Sequence, residues 1–184
     1  MICNNADRVR RSDPFCAVVA VAIALVLAFA SESAAAFERE WHAGAKVGIA
    51  TLTGTEPGPA LELRGAYGLD DKFDVLVQAE GSHQFGDHDA NVFSATAGFA
   101  YKIDIFEWIP YVALLGGYYR YGGDAGPHGK PGDYFGAAVT GGLDYLLRRD
   151  LALGADFGFH GTFNDGFTVP YFTATIGAEY HWGF

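Results

Sequence analysis

The sequence predicts an all-β fold: an eight-stranded antiparallel up-and-down barrel that crosses a membrane, preceded by a cleavable signal peptide. Three observations carry this expectation. Apolar residues alternate with small or polar ones in eight successive stretches, the pattern of strands with two unlike faces. The connections between those stretches are alternately short and long. The chain also opens on a basic segment and an apolar run too short to span a bilayer as a helix, which takes about 20 residues.

The opening segment comes first. Arg8, Arg10 and Arg11 precede an unbroken apolar run from Ala17 to Ala30, then Ser31-Glu32-Ser33 and Ala34-Ala35-Ala36. A basic start, roughly 7–15 apolar residues and a small-residue exit make a secretory signal peptide. Residues 1–36 are therefore the expected leader and residues 37–184 the barrel domain. Both cysteines, Cys3 and Cys16, leave with the leader, so no disulfide holds the exported chain. All 25 Gly remain. The leader carries equal numbers of basic and acidic residues, so the net charge of −10 remains too. That balance excludes a phosphate-backbone binder, which needs a cationic stripe, and no nucleic acid is expected as a partner.

The strands follow in order. Trp41, Ala43, Ala45, Val47 and Ile49 alternate with His42, Gly44, Lys46 and Gly48. Leu61, Leu63 and Tyr67 alternate with Glu62, Arg64, Ala66 and Gly68. Phe73, Val75, Val77 and Ala79 oppose Asp74, Leu76, Gln78 and Glu80. Phe93 to Tyr101 oppose Ser94 to Lys102 in the same way. The fifth stretch, Ile109 to Tyr121, is apolar on both faces until Arg120 and so does not declare its inward side. The sixth sets Phe135, Ala137, Val139, Leu143 and Tyr145 against Gly136, Ala138, Thr140, Gly142 and Asp144. The seventh sets Leu151, Leu153, Ala155, Phe157 and Phe159 against Ala152, Gly154, Asp156, Gly158 and His160. The last sets Phe172, Ala174, Ile176, Ala178, Tyr180, Trp182 and Phe184 against Thr173, Thr175, Gly177, Glu179 and His181.

Short turns are expected at Leu69–Lys72, Asp104–Trp108 and Leu147–Asp150. Longer loops are expected at Thr51–Pro59, His83–Asn91, Gly122–Asp133 and Gly161–Thr168. An even strand number then puts both termini at the short-turn rim.

The composition of the smaller face decides which side is inward. It is rich in Gly, Ala, Ser and Thr, with single charges in mid-strand: Lys46, Glu62, Arg64, Asp74, Glu80, Lys102, Arg120, Asp144, Asp156 and Glu179. Glycine weakens a water-facing strand, whereas the interior of eight strands is only wide enough for side chains. Charged groups there need small neighbours. The large apolar face is thus expected outside, against lipid. Aromatic girdles are expected from Trp41, Tyr67, Phe73, Tyr101, Trp108, Tyr111, Tyr145, Tyr180 and Trp182 at the short-turn end. At the other end they come from Phe93, Tyr119, Tyr121, Tyr134, Phe135, Phe159 and Phe172.

The signal peptide, the eight alternating strands and the terminal Tyr180-x-Trp182-x-Phe184 resemble small outer-membrane β-barrel proteins of the OmpA/OmpX/OmpW sort. The resemblance covers residues 37–184 and implies a bacterial outer-membrane location. It also implies that Tyr180, Trp182 and Phe184 serve as the signal read by the barrel-assembly machinery. It specifies fold and location more sharply than activity, because one barrel hosts structural, adhesive, pore-like and enzymatic proteins.

Two functional expectations stand beside each other. In the first, the ten charged residues fill the lumen as paired, hydrogen-bonded groups, and the protein is a structural or surface-interaction barrel. In the second, they line a narrow porin-like channel for ions or small solutes. An enzyme that modifies lipid A is a distant third. It needs a nucleophile and base within reach of each other, and Ser82-His83 is the one adjacent pair, with its side chains on opposite strand faces. No catalytic residue and no cofactor is expected. His83, Asp87, His88 and Asp89 form no recognisable ligand pattern, so no metal site is expected either. The loop carboxylates Glu56, Asp87, Asp89, Asp124, Asp133 and Asp165 are suited to meet lipopolysaccharide through bridging Mg²⁺ or Ca²⁺.

Overall fold

A computed structural model describes residues 40–53, 55–85, 90–103, 107–123, 131–163 and 167–183. The expected leader, Phe184, and the loop residues Asp87, His88, Asp89, Asp124 and Asp165 lie outside them. Alternating sequence becomes alternating structure along eight strands: β1 (Trp41–Leu52), β2 (Gly58–Gly68), β3 (Phe73–Gln84), β4 (Ala90–Lys102), β5 (Trp108–Gly123), β6 (Gly132–Arg148), β7 (Leu151–Phe163) and β8 (Phe167–Trp182). Every strand pairs antiparallel with its chain neighbour, and β1 pairs with β8, which closes the barrel. Closure leaves no edge, the condition for placing a sheet in hydrocarbon.

The register puts most of the large apolar residues outside. Val47, Leu63, Phe99, Leu114, Phe135, Phe157 and Ile176 are all exposed. On a water-soluble protein such a surface would aggregate; around a closed barrel it is a lipid-facing belt. The belt ends in aromatic pairs at the short-turn rim. Trp41 meets Tyr67 at 4.6 Å between ring centroids, Phe73 meets Tyr101 at 5.2 Å, and Trp108 meets Tyr145 at 4.7 Å. All three are cross-strand partners, so the girdle is built into the register.

Strand ends depart most from expectation between β7 and β8, where the sequence predicts a longer loop over Gly161–Thr168. The connection between β7 and β8 is short, because Thr162 pairs with Thr168 and Phe163 with Phe167. A register shift between His160 and Thr162 accompanies it. Such a shift lets a strand twist more tightly at a rim.

Inside, packing falls into layers. Towards the long-loop end Ala50, Leu52, Ala60, Val92, Tyr119, Tyr121 and Tyr171 form one buried apolar cluster, with Tyr134 against it. Towards the short turns Ala66, Leu76, Ala100, Ala113, Leu115 and Ala138 form a second, with Tyr111 against it. The charged residues occupy the remaining lumen.

Candidate functional site

β5 overturns part of the sequence reading. Its inward positions are Tyr111, Ala113, Leu115, Tyr119 and Tyr121. Tyr111, Tyr119, Tyr121 and Tyr134 therefore belong to the interior, not to the girdles. Arg120 falls on the opposite parity and points outward: its side chain is half exposed, with the Asp133 carboxylate 3.9 Å away. Arg120 is thus not a lumen residue. The reason is local, since with apolar residues on both faces of β5 only pairing with β4 and β6 selects the inward side.

The other nine charges lie inside. Lys46, Glu62, Arg64, Asp74, Glu80, Asp144, Asp156 and Glu179 are buried, and Lys102 is half-buried at the short-turn mouth. Six of them form one central cluster. Lys46 Nζ reaches Asp156 Oδ2 at 2.7 Å, Glu179 Oε1 at 3.1 Å and Asp144 Oδ1 at 3.4 Å. Arg64 donates to the same Asp156 and Glu179 oxygens, at 2.5 and 3.1 Å, and lies 3.2 Å from Glu62. Two cations thus share two bridging carboxylates.

Four carboxylates facing two cations leave excess acceptors, and hydroxyls supply the missing donors. Tyr111 donates to Asp156, and Thr175 to Glu62 at 3.1 Å. The Tyr111 ring also sits 4.9 Å from the Arg64 guanidinium carbon, within cation–π range. Lys102 is separate and pairs with Asp74 at 2.8 Å.

Glycines make this cluster possible. A Cβ on Gly154 would stand 1.9 Å from Asp144 Oδ1 and 2.9 Å from Lys46 Nζ; one on Gly142 would meet Asp156 and Tyr111. These positions are empty of side chain so that their neighbours can hold charge.

A second polar group, which the sequence reading did not assemble, lies nearer the long loops. Tyr171 donates to Glu80 and is 2.7 Å from Ser82 Oγ, which accepts from Gln84 Nε2 at 2.7 Å. His160 lies beside them, 3.1 Å from Tyr119 Oη and 3.4 Å from Thr173 Oγ1. The available signal was parity, as His160, Ser82 and Gln84 share the face of Asp156 and Glu80. Ser82 points inward, whereas His83 is on the other face with its Nδ1 2.9 Å from Asn91. They do not form a nucleophile–base pair.

No family model and no curated protein matches the chain. Solved structures do match. The structure of Neisserial surface protein A superposes with a TM-score of 0.59 at 18% identity, over 79% of this chain and 97% of that one. The fold is that of the small outer-membrane β-barrels. Ail, the attachment invasion locus protein of Yersinia pestis, matches with a TM-score of 0.53 at 17% identity over the same shares. The N-terminal β-barrel domain of Pseudomonas aeruginosa OprF matches at 0.51 and 14%, again over 79% and 97%. These likenesses concern backbone architecture.

Within that architecture the lumen is closed at one end. A cavity of about 810 Å³ opens at the short-turn mouth and is bounded inward by Arg64, Tyr111, Asp144 and Glu179. Beyond it Lys46, Glu80, His160, Tyr119, Tyr121 and Tyr171 are almost wholly inaccessible to solvent, at 0–2% exposure. The charged cluster and the tyrosines above it together fill the lumen.

Proposed function

We propose that the protein is an integral outer-membrane barrel with a structural or surface-interaction role, non-enzymatic, whose lumen is filled and does not conduct. The observation that carries this reading is the occlusion behind the short-turn cavity. An ion entering there meets a guanidinium and an ammonium already paired to carboxylates, then three buried tyrosines. Passage would require breaking buried pairs, each held in a low-dielectric interior. Single-channel recording on folded protein in planar bilayers tests it. Electrical silence is the expected result, and regular unitary currents would favour the porin-like alternative.

In the same reading the leader, residues 1–36, is removed on export to a bacterial outer membrane. Tyr180 and Trp182 in β8, with Phe184, form the signal for the barrel-assembly machinery. Lipopolysaccharide is the surrounding partner, with loop carboxylates such as Glu56 and Asp133 bridged to it by divalent cations. The likeness to Ail, the attachment invasion locus protein of Yersinia pestis, supports a contact role for the long loops. The opposed orientation of Ser82 and His83 supports the absence of hydrolytic chemistry. Membrane fractionation and a gel comparing unheated with boiled protein test location and closure together. A soluble fraction with no heat-dependent mobility would overturn both.

A further inference from the structure

We propose that Glu40, His42 and His181 form a binding site for a divalent transition-metal ion of the zinc type, which clips the first strand of the barrel to the last. His42 on β1 and His181 on β8 are direct partners in the closing seam. The seam's register alone therefore sets two imidazoles side by side on the lumen face. Their rings are stacked, 4.0 Å apart between centroids and 17° from parallel. Glu40 stands two residues ahead of His42 and brings its carboxylate to both rings. Its Oε2 lies 3.8 Å from His42 Nε2 and 3.9 Å from His181 Nδ1.

Those distances are too long for hydrogen bonds. They suit three ligands around a shared ion. Ligand atoms of the three residues lie within 4.8 Å of one another. With bonds of about 2.0–2.2 Å, tetrahedral ligand atoms stand roughly 3.3 Å apart.

Burial supplies an independent reason. His42 and His181 are only 9% and 5% exposed, and His42 Nε2, the atom that faces Glu40, is buried with no hydrogen-bond partner among the described residues. A buried polar nitrogen left unpaired costs about 1–3 kcal/mol, and native proteins seldom leave one so. Each neutral ring carries one lone pair, which its tautomer can place on either nitrogen. Two imidazoles and a carboxylate, with no thiolate, select an ion of the zinc, copper or nickel kind over Mg²⁺ or Ca²⁺. Three protein ligands leave a fourth position for water. Ions reach the place through the short-turn cavity, whose rim carries Asp70 and Asp71. Lys102, on the same mouth, is held by Asp74 at 2.8 Å.

The test uses the folded protein, purified without a histidine tag, in detergent micelles with zinc chloride as the probe. One Zn²⁺ binds per chain, and it raises the temperature at which the compact gel band converts to the unfolded one; EDTA reverses the shift. His42→Gln and His181→Gln keep side-chain bulk. Each weakens zinc binding by at least roughly ten-fold, since even loss of a supporting partner around a metal costs that much, and each abolishes the thermal shift. His83→Gln, on the outer face, changes neither. Undiminished zinc binding in the double His42→Gln/His181→Gln variant overturns the site. Zinc binding with no thermal protection overturns the clip. Should that double variant fail to fold, Co²⁺ added to the unaltered protein decides: tetrahedral d–d bands support the site, and an octahedral aquo spectrum overturns it.

Discussion

Asp156 and Glu179 each accept from both Lys46 and Arg64, so removing a single cation strands more than one carboxylate. Arg64→Met is expected to destabilise the barrel by about 3–5 kcal/mol, the usual loss when one member of a buried pair is deleted. Equilibrium unfolding by guanidinium in lipid vesicles measures it. The glycines offer a sharper contrast. Gly154→Ala drives a methyl group into Asp144 and Lys46 and should lower stability clearly. Gly81→Ala has nothing within 4 Å of the new atom and should change stability by less than about 1 kcal/mol. Equal losses in the two variants would mean that lumen glycines are not there to make room. These side chains were largely legible in the sequence, because single charges among Gly and Ala on one strand face stand out. Their partners were not. Which carboxylate meets which cation depends on neighbours about a hundred residues apart in the chain, and register sets that.

The strands show why some elements declare themselves and β5 does not. On β7 the outward set Leu151, Leu153, Phe157 and Phe159 and the inward set Gly154, Asp156 and His160 differ in size and polarity, so parity is plain. Phe157, at the middle of β7, is 71% exposed to the surroundings. Phe157→Arg should cost about 2–4 kcal/mol in a bilayer, as arginine does at the midplane of a lipid-facing strand. The same vesicle unfolding measures it. On β5, Leu114 faces out and Leu115 in, and no local property separates them. Tyrosine adds to the ambiguity: its ring suits a girdle, and its hydroxyl suits a charged lumen. Pairing with β4 and β6 resolved the conflict by sending Tyr111, Tyr119 and Tyr121 inward and Arg120 out.

For the whole molecule, the layered lumen sets two barriers in series, the ionic cluster and the aromatic end. Replacing Tyr119 and Tyr121 together by Ala removes two side chains that are essentially inaccessible to solvent, while the ionic cluster below them stays in place. The double variant is expected to stay silent in planar bilayers, because the ion pairs still fill the lumen; unitary currents would assign the seal to the tyrosines. The closing seam carries one more consequence, which concerns the order of events in making the barrel. Lys46 and His42 arrive on the first strand synthesised, while Glu179 and His181 arrive on the last. Until β8 docks, β1 has an open edge and Lys46 lacks one of its bridging carboxylates. A chain truncated before β8 leaves β1 and β7 as open edges, so it is expected to lose the compact band that a closed barrel gives on an unheated gel.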